Sequence, residues 1–292
     1  MGQVVAACKT AVAVLNAVDE VLKAAKPIIE LFTKRASRPA PMPGQILLEN
    51  AQTTPELLTY SSRPPEFWKE QRDAAHRQLG IDTIHEFNIG FCGRVKAGKS
   101  TLINALRGIR KGDQGWAPTG SFEMTQKIQP YRFNGDACKF GVLWDIPGCG
   151  SGSVPNATYF VEQKLFAFDF LIIISENHFG EAEKALAQEA RNFGVPFAYV
   201  RSKCDNDLRT IAEEERIDLL TDEHRRTFLE SEKLVFKRNF NNDTNNAHHF
   251  LISSPVILEP EKNAQYLLEE NELLQFIFNT VSSRRGGGPS LA

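Results

Sequence analysis

Gly93-Arg94-Val95-Lys96-Ala97-Gly98-Lys99-Ser100 is the stretch on which the reading of this chain turns. It fits G-x-x-x-x-G-K-[ST], a loop that cradles phosphates. A polyphosphate needs many hydrogen-bond donors in a small volume, and here the backbone supplies them. The glycines let successive N–H groups turn inward, and the helix that follows directs its positive end at the anion. Residues from Gly93 to Thr101 are therefore expected around the phosphates of a nucleotide. Lys99 reaches the β- and γ-phosphates, where it also serves catalysis, and the Ser100 hydroxyl ligates Mg²⁺. The setting agrees. Residues 84–92 upstream read as a strand, and Thr101-Leu102-Ile103-Asn104-Ala105-Leu106 read as the first turns of a helix.

Working outward, Trp144-Asp145-Ile146-Pro147-Gly148 closes an apolar strand. An aspartate at a strand end followed by Pro-Gly fits the second Mg²⁺-side element of such a site. Asp145 would hold the metal through water, and the Gly148 N–H would sense the γ-phosphate. Ser202-Lys203-Cys204-Asp205 follows the strand Phe197–Arg201 and reads as a variant of [NT]-K-x-D. The Asp205 carboxylate would take the two ring-side N–H donors of guanine, and the Lys203 stem would pack over the base. Adenine presents an acceptor where guanine presents a donor, so Asp205 selects guanine. Ser202 stands in place of Asn or Thr, and its hydroxyl can still bridge to the phosphate loop. Ser253 and Ser254 end the last strand, where a loop N–H would support the base. Between these elements, either Thr119 or Thr125 closes on Mg²⁺ as a switch residue. The sequence leaves that choice open.

The rest of the chain gives the frame. Further strand runs lie at 127–133, 140–144, 168–175, 197–201 and 249–253, with helical stretches at 157–166, 181–193, 207–238 and 263–281. Strands alternating with helices predict an α/β fold: a phosphate-loop nucleotide domain with a mostly parallel six-stranded sheet covered on both faces. This domain is expected over 84–282. Ahead of it, residues 1–36 carry apolar positions spaced by four and three, which predicts one long helix. It reads as a helix packed on its own protein's other helices in preference to a coiled coil or a membrane-surface helix. A Pro-rich linker (37–64), a linking helix within 65–83 that carries Trp68, and a flexible tail (283–292) complete the division.

Composition narrows the function classes. With 292 residues, 42% apolar and 24% charged, the chain can bury a core. A formal charge of -2 gives no reason to expect nucleic-acid binding. Five cysteines without C-x-x-C pairing read as reduced thiols of a cytoplasmic protein, not a zinc site. No segment approaches the roughly 18 apolar residues of a membrane span.

Assembled, these residues resemble the immunity-related GTPases, the interferon-inducible p47-type family of the dynamin-like group. The similar stretches are 93–108, 119–125, 140–151, 166–175 and 197–205. The resemblance implies a GTP-binding, Mg²⁺-dependent GTPase cycling between GTP and GDP. Small signalling GTPases place a water-positioning glutamine just after the D-x-x-G glycine, and here that position is Cys149. The family resembled also lacks the glutamine. It hydrolyses GTP when two nucleotide domains meet face to face, using a switch glutamate, which matches Glu123 here. Read from the residues alone, Glu123 is equally a solvated loop carboxylate. The resemblance therefore implies slow intrinsic turnover and a nucleotide-dependent homodimer or homo-oligomer.

Two departures stand beside it. Family members carry a C-terminal helical region after the nucleotide domain, and this sequence ends at 292. Assembly and membrane remodelling that depend on those helices are then in doubt. Gly2 invites N-myristoylation, but Ala6 replaces the preferred Ser or Thr. One chain anchors only marginally, so acylation of Cys8 or the helix face would have to help a peripheral membrane contact. A GTP-gated scaffold that barely hydrolyses and recruits partners through residues 3–35 is the alternative function. An ATP-using enzyme is disfavoured by Asp205.

Overall fold

A computed structural model of the chain describes residues 65–120, 127–134, 138–149, 156–240 and 247–283. The expected N-terminal helix, the linker, the tail, Gly2, Cys8, Glu123 and Thr125 lie outside the described residues.

The sheet has six strands: β1 (Phe87–Gly93), β2 (Gln129–Arg132), β3 (Gly141–Asp145), β4 (Phe170–Ser175), β5 (Phe197–Arg201) and β6 (His248–Leu251). Their order is β2-β3-β1-β4-β5-β6, and only the edge strand β2 runs antiparallel. The helices are α1 (Pro65–Leu79), α2 (Lys99–Leu106), α3 (Asn156–Glu162), α4 (Glu181–Asn192), α5 (Cys204–Glu215), α6 (Asp222–Asn239), α7 (Ser254–Leu258), α8 (Pro260–Asn263) and α9 (Glu270–Ser283).

Strand side chains alternate between two cores, as the two-residue period requires. Phe170, Ile172 and Ile174 of β4 join Ile89, Phe91 and Val200 under α2 and α9. Leu171 and Ile173 face the other way, with Trp144, Phe160, Tyr199 and Phe236. Both faces are therefore apolar, which is why β4 reads as an unbroken apolar run. Gly90 packs closely against the second core: a Cβ there would lie 2.9 Å from Leu171 Cδ2 and 3.0 Å from Ile146 Cδ1. Helix α1 docks on the same side. Trp68 meets the Phe193 ring at 4.6 Å, and Arg72 Nε donates to the Phe166 carbonyl at 3.0 Å.

Several boundaries differ from expectation, each for a local reason. β1 begins at Phe87 because Asp82 Oδ1 accepts the N–H groups of Ile84 and His85, turning that segment outward. The helix expected at 157–166 stops at Glu162, and Lys164 turns with φ 54° into a short 3₁₀ turn at Leu165–Ala167. β4 consequently starts at Phe170. The stretch 207–238 is two helices. Arg216 adopts φ 55° and ends α5, while Thr221 caps α6, accepting the His224 N–H and donating its own to His224 Nδ1 at 3.0 Å. β6 ends at Leu251, and the unforeseen helices α7 and α8 follow. The last helix begins at Glu270 in place of Asn263.

Candidate nucleotide site

The phosphate loop joins the end of β1 to α2, at the C-terminal edge of the sheet where open α/β folds place ligands. Its backbone takes conformations that favour glycine: Gly93 has φ 135°, Gly98 φ 93° and Lys96 φ 67°. At Gly93 glycine is obligatory, because a Cβ would lie 2.1 Å from the Ile174 carbonyl oxygen. Lys99 is 6% exposed, and its Nζ donates to the Arg94 carbonyl at 2.9 Å and the Gly93 carbonyl at 3.4 Å. Burial lowers its pKa, and the Asp145 charge opposes that shift. Ser100 Oγ donates to Asp145 Oδ2 at 2.5 Å. A hydroxyl and a carboxylate thus converge beside the lysine, a donor set that suits a hard divalent cation such as Mg²⁺.

Asp145 ends β3, and the segment after it is laced to the phosphate loop. The Cys149 N–H donates to the Gly93 carbonyl at 3.1 Å, and the Val95 N–H donates to the Cys149 carbonyl at 3.3 Å. Gly148 lies so close that a Cβ would stand 2.6 Å from Val95 N and 2.7 Å from Val95 Cα. Cys149 is 9% exposed, and burial raises its thiol pKa. It packs in the second core with Cys92 and Tyr159, and the charges of Lys99, Glu183 and Arg94 act on its thiol.

The base-side motif meets the same loop. Ser202 Oγ donates to the Ala97 carbonyl at 2.6 Å, and Lys203 Nζ donates to the Lys96 carbonyl at 2.8 Å. Lys203 also pairs with Glu176. Asp205 is 5% exposed, accepts Ser253 Oγ at 2.9 Å and faces Arg209 Nη2 at 3.1 Å. Ser254 is the first residue of α7, directly after Ser253. Arg94, mostly exposed, reaches Glu183 Oε1 at 3.2 Å. Thr101 is exposed on the first turn of α2. Thr119 lies two residues beyond Ala117, whose N–H and carbonyl are both held by the Asn104 amide at 2.8 Å.

A family model described as interferon-inducible GTPase matches residues 79–259. The chain belongs to the interferon-inducible GTPase family. Three relatives illustrate the likeness. A T-cell-specific guanine nucleotide triphosphate-binding protein (protein 2) of Mus musculus is 40% identical over 121 residues, 41% of this chain and 29% of that protein. Interferon-inducible GTPase 1 of Mus musculus is 36% identical over 126 residues, 43% of this chain and 30% of the relative. Interferon-inducible GTPase 5 of Rattus norvegicus is 39% identical over 130 residues, 44% of this chain and 28% of the relative. The aligned region is thus less than a third of each relative's length.

Within this family member, two contributors escaped the sequence reading. Tyr159, 4% exposed, donates its hydroxyl to the Pro147 carbonyl at 2.7 Å. One buried hydroxyl therefore ties α3 to the D-x-P-G segment. From sequence Tyr159 is merely one apolar residue of a short helix. Tyr159→Phe is expected to lower the preference for GTP over GDP about fivefold, the net worth of one hydrogen bond. Competitive binding of the two nucleotides checks this, and an unchanged ratio would show that the tie has no part in γ-phosphate sensing. The second is Glu270, taken up below.

Proposed function

We propose that this chain binds GTP with Mg²⁺, hydrolyses it to GDP and phosphate, and does so fastest when two copies meet through their nucleotide domains. The observation that carries this reading is the joining of one phosphate loop to two other motifs. The Ser100–Asp145 contact brings the metal-side groups together, and the Ser202–Ala97 and Lys203–Lys96 contacts bring the base-side motif onto the same loop. Family membership supports the same activity.

In this reading residues 93–101 wrap the phosphates through backbone N–H groups, and Lys99 leaves the two loop carbonyls for the β- and γ-phosphates. Ser100 and, through water, Asp145 would hold Mg²⁺, which would supply charge neutralisation at the phosphate oxygens. Thr119 or Thr125 would be a further residue to hold it. The Gly148 N–H addresses the γ-phosphate. Asp205 accepts the guanine donors, Ser253 orients Asp205, and the N–H of Ser254 supports the base. Nothing on this list positions the attacking water, since the thiol of Cys149 cannot orient it as a glutamine amide does. Glu123 supplies that role when a second copy closes the site. Glu123→Ala is accordingly expected to bind GTP as the parent does and to lower turnover by about 10²-fold or more. A variant with normal turnover would remove Glu123 from the mechanism.

The burial of Cys149 also favours a second reading: a GTP-gated scaffold with little turnover. The two differ in whether the rate rises with protein concentration. Peripheral membrane contact would rest on Gly2, Cys8 and the helix expected at 3–35. None of the described helices is long and apolar enough to cross a membrane.

A further inference from the structure

We propose that Glu270 sets the position of the base-reading loop and is thereby a specificity-determining residue for the nucleotide; this rests on the reading of the site as a GTP site. Glu270 opens α9 and is 1% exposed. One carboxylate oxygen accepts the Ser253 N–H at 2.6 Å, and the other accepts the Leu268 N–H at 2.6 Å. Ser253 in turn donates its hydroxyl to Asp205 at 2.9 Å. A single buried carboxylate therefore grips the main chain of a loop whose side chain grips the acid that reads the base.

The neighbouring residue extends the grip. The Glu269 N–H donates to the Leu251 carbonyl at 3.2 Å, the Leu251 N–H donates to Glu269 Oε2 at 3.0 Å, and Lys233 pairs with Glu269 Oε1. Residues 268–270 thus clip the end of β6 and the loop after it. Holding a helix N-terminus does not require this arrangement, because an exposed acid in the first turn does that cheaply. Glu272, in the same turn, is such an exposed acid. Glu270 is instead buried at a cost: burial pushes its carboxyl up to about 8, against the pull of the backbone N–H groups of Ser253 and Leu268. Glutamine would offer one acceptor oxygen and turn an NH₂ donor onto a backbone N–H. The Ser253 loop would move, and Asp205 would lose its orientation.

The test measures GDP and ADP affinities of the full chain, with thermal melting alongside. In Glu270→Gln the affinity for GDP is expected to fall about tenfold while that for ADP stays the same. Glu272→Gln should leave both unchanged. Glu270→Asp keeps the carboxyl group but is too short to reach both N–H groups, so its GDP:ADP ratio should fall between the two. If Glu270→Gln does not melt cooperatively, the ratio in Glu270→Asp decides. An unchanged ratio in a folded Glu270 variant overturns the proposal. A wild-type protein that does not prefer GDP to ADP would instead overturn the guanine reading itself, and this inference with it.

Discussion

Gly148→Ala is expected to lower GTP turnover by about 10²-fold or more, because it drives the proposed γ-phosphate sensor away from the phosphate loop. The added Cβ would meet Val95 N at 2.6 Å, Val95 Cα at 2.7 Å and Arg94 C at 2.9 Å. All three are backbone atoms, so no side-chain rotation relieves the clash. One segment must shift, and both are tied: Cys149 exchanges two backbone hydrogen bonds with Gly93 and Val95. Breaking them costs about 1–3 kcal/mol of packing and hydrogen bonding. GDP should bind nearly normally, since it lacks the phosphate proposed to meet the Gly148 N–H. Steady-state hydrolysis together with GDP and GTP titrations measures the effect. Wild-type turnover in Gly148→Ala would mean that the close approach has no functional part.

Asp205→Asn is expected to weaken GTP binding by about 10²–10⁴-fold, from losing one charge-assisted hydrogen bond, weakening the other and turning an NH₂ donor toward a guanine donor. Guanine offers two adjacent donors, and a carboxylate offers two acceptors. Asparagine offers one acceptor and one donor, which matches xanthine, whose ring carries an oxygen where guanine carries an amino group. The variant should therefore bind xanthosine triphosphate better than GTP. Ser253 Oγ can still donate to the remaining oxygen, since it donates to Oδ1 now. Retained preference for GTP in Asp205→Asn would remove Asp205 from base recognition.

The fold was legible because strand and helix periods alternate cleanly. The phosphate loop, the apolar run of β4 and the end of β5 each carry a distinct pattern, and together they predict the parallel sheet. Its interruptions were less legible. Arg216 ends α5 in a left-handed conformation that any polar surface residue could conceal. The cap of α6 pairs Thr221 with His224, where the familiar pattern has an acid or amide. At the site, the residues facing the ligand stand in recognisable motifs, whereas those that hold them do not. Tyr159 reads as one more apolar residue of a helix, and Glu270 as an ordinary acid within the helix expected from 263. Their roles come from contacts across 12 residues to Pro147 and across 17 to Ser253. Such long-range contacts leave no local pattern.

The account centres on a guanine-nucleotide site that a second copy completes. Hydrolysis of GTP per mole of protein, followed across a wide range of protein concentration with ATP as the parallel substrate, tests it most directly. A specific rate that rises with concentration for GTP, with ATP hardly turned over, is the predicted result. A specific rate independent of concentration, or equal turnover of ATP, would contradict it.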